Sequence, residues 1–223
     1  MKLLLTSGGV TNPTIIDALV GLLGKPTAEA TALCIPTAQW GHPICGPVSA
    51  RGFVSGLPPW GGMTSMEWKS LGLLELSALP SIGEERWVPW VREADVLLVD
   101  GGDATFLCHW MHESGLAALL PSLGETVYVG VSAGSMVTAP IFGETYDDPQ
   151  TPFVIAPGLG LVDFALLPHL DHPDHPESAT AKVARMAAAV PVPLYGIDDA
   201  TAITVTDGTV EVVSAGHWQL FTP

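Results

Sequence analysis

Residues Tyr128 to Pro140 read YVGVSAGSMVTAP. The apolar run from Tyr128 breaks at Ser132, which stands between Gly130 and Gly134 in the pattern GxSxG, and SMVTAP behind it can open a short helix. A buried strand that turns sharply into a helix needs small residues where the backbone crowds, and it lifts the central side chain clear of the sheet edge. The helix N-terminus behind that side chain favours developing negative charge. Ser132 therefore reads as a nucleophile or as a small residue in a tight turn.

A second stretch has the same form. DVLLVDGGDATFLCHW, from Asp95, is a buried strand running into Gly101-Gly102 and then a helix opening at Asp103 or Ala104. Parallel strands carry their C-terminal ends to one edge, so the two turns can meet there. The Gly102 and Ala133 amides could then form an oxyanion hole. Neither turn is a full GxGxxG or P-loop, and Asp100 and Asp103 would repel a phosphate.

KLLLT from Lys2, TALCIP from Thr31 and FALLPH from Phe164 are further short apolar runs. Continuous rather than alternating apolarity marks strands buried on both faces. Thr14 to Leu23, Ala104 to Glu113 and Glu177 to Val190 read as helices, with weaker helical patterns in GPVSARGFVSGL and ERWVPWV. GLPPWGGM at 56 to 63 reads as a long loop. The repeated strand and helix order predicts an α/β fold, a mostly parallel central sheet covered on both sides in a three-layer sandwich. PLYGIDD, TAITVTDGTVEVVSAG and HWQLF read as strands, with an antiparallel hairpin near the C-terminus turning at Asp207-Gly208. Residues 1 to 223 form a single domain on this reading.

With 48% hydrophobic residues and 14% charged, the chain is too apolar for disorder, and it has no uninterrupted run of membrane-spanning length. Eight Lys and Arg against 23 Asp and Glu, a formal charge of −15, argue against nucleic acid and anionic membranes as partners. Three cysteines outside any CxxC argue against a disulfide framework or a thiolate zinc site, and a cytoplasmic protein is expected.

A serine needs a base. His42, His109 and His112 read as structural or surface residues, which leaves His169, just past a strand, and His217, late in the chain. His217 with Asp198 or Asp199 would give an esterase of α/β-hydrolase type in the order Ser, Asp, His. PHLDHPDHPE also raises a metal site from His169, His172 and His175. Its prolines at 168, 173 and 176 predict a stiff, extended loop with no simple ligand geometry, leaving His172 and His175 on a mobile rim.

LLLTSGG, CIPTA, VDGGDATF, GVSAGS and LPHLD follow one another in an order that resembles the peptidase E family of serine peptidases, and YGIDDATAI resembles a further block. The resemblance implies a fold similar to class I glutamine amidotransferases, with serine in place of cysteine at the elbow. It implies Ser132 as nucleophile, His169 as base, and an acidic member in GETYDDPQ: Asp147 by spacing, with Asp148 and Glu144 as alternatives. It also implies a dipeptidase favouring an N-terminal Asp on short peptides, without a cofactor. Arg185, with Lys182 beside it, is then the candidate to bind the substrate carboxylate, since a guanidinium pairs with a carboxylate in a planar fork. A homodimer is compatible with this reading, and so is a noncatalytic binding domain that keeps the elbow.

Overall fold

A computed structural model describes residues 1–145 and 153–223. The first half of the chain runs through β1 (Lys2–Thr6), α1 (Pro13–Leu23), β2 (Thr31–Ile35), α2 (Pro47–Val54), β3 (Ser70–Leu73), α3 (Glu84–Glu93) and β4 (Val96–Val99). Next come α4 (Ala104–Glu113), α5 (Leu116–Leu119), β5 (Val127–Val131), α6 (Ala133–Met136), β6 (Ile141–Thr145) and β7 (Phe153–Pro157). The chain ends with β8 (Ala165–Leu167), α7 (Thr180–Ala187), β9 (Leu194–Ile197), β10 (Thr201–Thr206), β11 (Thr209–Ser214) and β12 (Trp218–Phe221).

Seven strands form the central sheet in the order β11-β10-β1-β5-β4-β2-β3. The five from β1 to β3 are mutually parallel, whereas β10 and β11 pair antiparallel at one edge. The hairpin turns at Asp207 and Gly208, both at positive φ, as their turn-forming residue types predict. A second sheet of order β12-β9-β8 and the antiparallel pair β6-β7 lie outside the main one.

The apolar runs alternate between two cores. Leu3 and Leu5, Leu97 and Val99, and Tyr128 join one apolar cluster. Leu4, Val96, Leu98, Val127 and Val129 join the other. Successive side chains on a strand point to opposite faces, so a strand covered on both sides must be apolar throughout. Ile15 and Leu19 of α1 and Phe53 of α2 cover one face; Trp87 and Val91 of α3 with Leu107 and Met111 of α4 cover the other. A third, smaller cluster packs α7 against β8 and β9.

The helices begin where local chemistry places them. Asn12 caps α1 by accepting from the Ile15 amide at 3.1 Å, Pro13 takes the first helical position, and Gly24 ends the helix in a left-handed conformation. The weaker helical patterns became α2 and α3. The strands β3, β6 and β7 were not expected; β3 is a short, largely exposed edge strand, without the buried apolar run that marks the others. Among the described residues no helix is long and apolar enough to cross a membrane.

Register fixes what meets at the C-terminal edge of the parallel strands. Thr6 lies opposite Val131, and Val99 opposite Gly130, so Ser7, Ser132 and Asp100 leave neighbouring strands at one level. Thr6 also pairs with Ala202 of β10. Because β10 runs the other way, its beginning, with Asp199 just ahead, reaches the same edge.

One buried hydroxyl ties strand to elbow. Tyr128 is fully buried and donates to the Gly134 carbonyl at 2.6 Å. The Tyr128→Phe variant removes this donor from a carbonyl with no route to water, and stability should fall by about 1–3 kcal/mol. Urea unfolding measures it, and an unchanged midpoint would show that the bond contributes nothing.

Candidate active site

Ser132 adopts φ 49° and ψ −113°, a backbone conformation that L-residues avoid. The flanking glycines permit it. A Cβ on Gly130 would lie 2.6 Å from the backbone of Gly134 and Ser135, and one on Gly134 only 2.4 Å from the Val99 carbonyl. The Ser132 amide donates to the carbonyls of Thr6 and Ser7, both at 3.1 Å, while the Ser135 hydroxyl donates to the Thr6 carbonyl at 2.8 Å. The elbow is thus bolted to the end of β1.

The Ser132 hydroxyl lies 3.1 Å from His169 Nε2, and His169 Nδ1 lies 2.7 Å from Asp199 Oδ1. A carboxylate can only accept, so Nδ1 carries the proton and Nε2 turns its lone pair to the serine. This chain of hydroxyl, imidazole and carboxylate can take a proton from the serine and stabilise the imidazolium that results. His169 itself sits at φ 58°, just beyond β8, and the adjacent Leu170 amide donates to the Ile197 carbonyl at the end of β9. The parallel β8-β9 pair therefore delivers both imidazole and carboxylate.

Ser7 joins the group. Its hydroxyl donates to Asp199 Oδ1 at 2.5 Å and accepts from the His169 amide at 2.7 Å. Burial is the largest influence on Asp199 and opposes its ionisation. The hydrogen bond and charge of His169, with Ser7 and His172, outweigh it and bring the carboxyl down to about 2.

Asp100 behaves in the opposite way. It is buried beneath the Gly101-Gly102 turn, and desolvation raises it to about 7, although the Gly101 amide at 2.8 Å and the Gln39 side-chain amide at 2.7 Å favour its charge. Gln39 also donates to the Gly101 carbonyl at 3.1 Å. These contacts set the path of the turn. Gly102 has φ 137°, and a Cβ there would lie 2.4 Å from the Ala38 carbonyl. Gly101 packs directly on Ser132, a Cβ built on it lying 3.1 Å from that of the serine. The two turns paired in the sequence do meet, Gly102 on one and Ala133, the first residue of α6, on the other.

The other expected residues fall as follows. Asp147 and Asp148 lie outside the described residues, and Glu144 stands on β6. Asp199, weighed in the sequence only as a partner of His217, is the carboxylate bonded to His169. The His217 amide donates to Asp198 Oδ2 at 2.5 Å, and Asp198 Oδ1 accepts from Ala200 and Thr201, so Asp198 braces the turn into β10. Arg185 is exposed on α7. Cys34, Cys45 and Cys108 are free thiols, and burial pushes Cys34 up to about 11.

The segment from His169 to Ser178 is not extended, as its prolines suggested. It winds through successive turns, because Pro173 and Pro176 each occupy the second position of a turn closed by the next amide but one. Among the described residues no group of three His, Cys, Asp or Glu side chains has an arrangement that could hold a metal. A cavity of about 610 Å³ is lined by Asn12, His172, Asp198, Asp199 and His217 among others, and Ser132 is not in its lining.

Residues 65–213 match the model of peptidase family S51. A curated peptidase E from Nostoc sp. is 33% identical over 81 residues, 35% of this chain, and the match spans 34% of that relative's length. A solved structure described as a peptidase E protein from Listeria monocytogenes EGD-e superposes with a TM-score of 0.68 at 20% identity, covering 96% of this chain and 98% of that one. A peptidase from an acI-B1 Actinobacterium gives 0.65 at 18% identity, covering 99% and 93%. At these identities the structural likeness is one of fold.

The lowered Asp199 carboxyl has a measurable signature. A carboxylate held below its ordinary 3.8 adds stability that is complete above that value and is lost as pH falls towards about 2. Over that range the wild type should lose stability relative to Asp199→Asn, which lacks the ionisation. Denaturant midpoints of the two proteins, plotted as a difference against pH, read the effect; a flat difference would rule out the pairing.

Proposed function

Since the chain belongs to peptidase family S51, we propose that it is a serine peptidase that hydrolyses short peptides through an acyl-enzyme on Ser132. The observation that carries this reading is the hydrogen-bonded line from the Ser132 hydroxyl through His169 to Asp199. His169 Nε2 removes the hydroxyl proton as the oxygen attacks the peptide carbonyl. The oxyanion is received by the Gly102 and Ala133 amides, the latter at the N-terminus of α6. The imidazolium returns its proton to the leaving amine, and water repeats the cycle to release the acyl group. Asp199 holds the imidazole in the required tautomer, the role for which the family resemblance implied Asp147, with Asp148 and Glu144 as alternatives.

The finer reading is a dipeptidase that favours an N-terminal Asp. Arg185 supports it as the group that would pair with the substrate carboxylate. Its guanidinium is exposed, and among the described residues it forms no ion pair.

Two experiments address these levels separately. Ser132→Ala should abolish labelling by a fluorophosphonate, and His169→Ala should lower kcat by about 10⁴-fold or more on a dipeptide substrate. Hydrolysis that survives loss of His169 would overturn the mechanism. Dipeptides differing only in an N-terminal Asp or Ala test the preference. Wild type should favour Asp and Arg185→Ala should not; equal wild-type rates would remove the specificity while leaving the peptidase reading intact.

A further inference from the structure

Three histidines recur at a spacing of three after β8, and the backbone explains why their rings meet. The His172 amide donates to the His169 carbonyl at 3.0 Å, the His175 amide to the His172 carbonyl at 3.0 Å, and the Ser178 amide to the His175 carbonyl at 2.9 Å. Linked turns of this kind return every third side chain to one side. Asp171, at φ 54°, anchors the segment by accepting from both the amide and the hydroxyl of Thr180, the first residue of α7.

The rings are not equivalent. His175 lies face to face with His169, with centroids 4.3 Å apart and planes within 15°. Its Nδ1 is 2.8 Å from Glu177 Oε1. His172 is tilted against both neighbours, its Nε2 3.7 Å from the second oxygen of Asp199. Thus each stacked ring is held at Nδ1 by its own carboxylate, Asp199 for His169 and Glu177 for His175. Hydrogen bonds at Nδ1 and Nε2 fix the two nitrogens of the His169 ring but leave it free to rock about the line that joins them. A second plane at stacking distance removes that freedom.

We propose that His175 is a positioning residue for the base: braced by Glu177, its ring is the wall that keeps His169 Nε2 aligned with the Ser132 hydroxyl. The inference rests on the peptidase reading for its consequence, though the stacking itself does not. A positioned base matters because a displacement of about 1 Å in a catalytic group can cost on the order of 100-fold in rate. The contribution is therefore to turnover rather than to substrate binding, and it belongs to the ring's shape rather than to its nitrogens.

His175→Ala should lower kcat on the order of tenfold with KM changed less than about twofold, and His175→Phe, which restores a flat ring, should recover most of the loss. A structural role alone would not divide kcat from KM in this way. Wild-type kcat in the alanine variant, or a phenylalanine variant no better than alanine, would overturn the proposal. The second arm needs no turnover. In a Ser132→Ala background, the His169 Cε1 proton should show an upfield ring-current shift by NMR that His175→Ala removes and His175→Phe keeps. Absence of that shift in the parent would also overturn the proposal. If the shift is present in a chain with no Ser132-dependent hydrolysis, the peptidase reading fails while the stacked geometry stands.

Discussion

The hydroxyl of Ser7 joins its own strand to two other parts of the chain. It leaves the end of β1, donates to the Asp199 carboxylate ahead of β10, and accepts from the amide of His169 beyond β8. The neighbouring Ser7 and Thr6 carbonyls hold the amide of Ser132. Every member of the hydroxyl, imidazole and carboxylate line is therefore referred to the end of one central strand. This works because the register brings the ends of β1, β4 and β5 and the start of β10 to one level. The sheet serves as the ruler, and the loops only have to reach a fixed edge.

Much of this was legible in the sequence. The strands buried on both faces announce themselves by continuous apolarity, and the two glycine turns declare a crowded edge. Ser132 and His169, which the structure brings within 3.1 Å, could be named from pattern and resemblance. What could not be read was the pairing of the carboxylate. Asp199 follows a strand that belongs to the small sheet and precedes one that runs against the parallel direction, and only the topology brings it beneath His169. Its conspicuous neighbour Asp198 is spent on the turn into β10. Ser7 was hidden for a simpler reason, since a serine at the end of a strand looks like an ordinary turn residue.

The histidine segment shows how the same residue type can mislead. Proline excludes an α-helical face, and no α-helix forms between His169 and Ser178. Proline also suits the second position of a turn, where it needs no amide proton. Spaced three apart, the prolines bend the segment repeatedly and stack the imidazoles. Three imidazoles thereby gather in a molecule with only eight Lys and Arg. With a formal charge of −15, the chain as a whole repels anions at long range.

The division between the two sheets has a mechanical side. His169 follows β8 and Asp199 follows the adjacent β9, whereas Ser132 follows β5 in the large sheet. Neighbouring strands hold a spacing of about 4.8 Å that hydrogen bonds keep stiff. A slide of the small sheet against the large one would have to stretch the Ser7 bonds to Asp199 and His169 as well as the 3.1 Å contact between Ser132 and His169. Ser7, at the end of β1, is then the latch that keeps the two sheets in step at this edge.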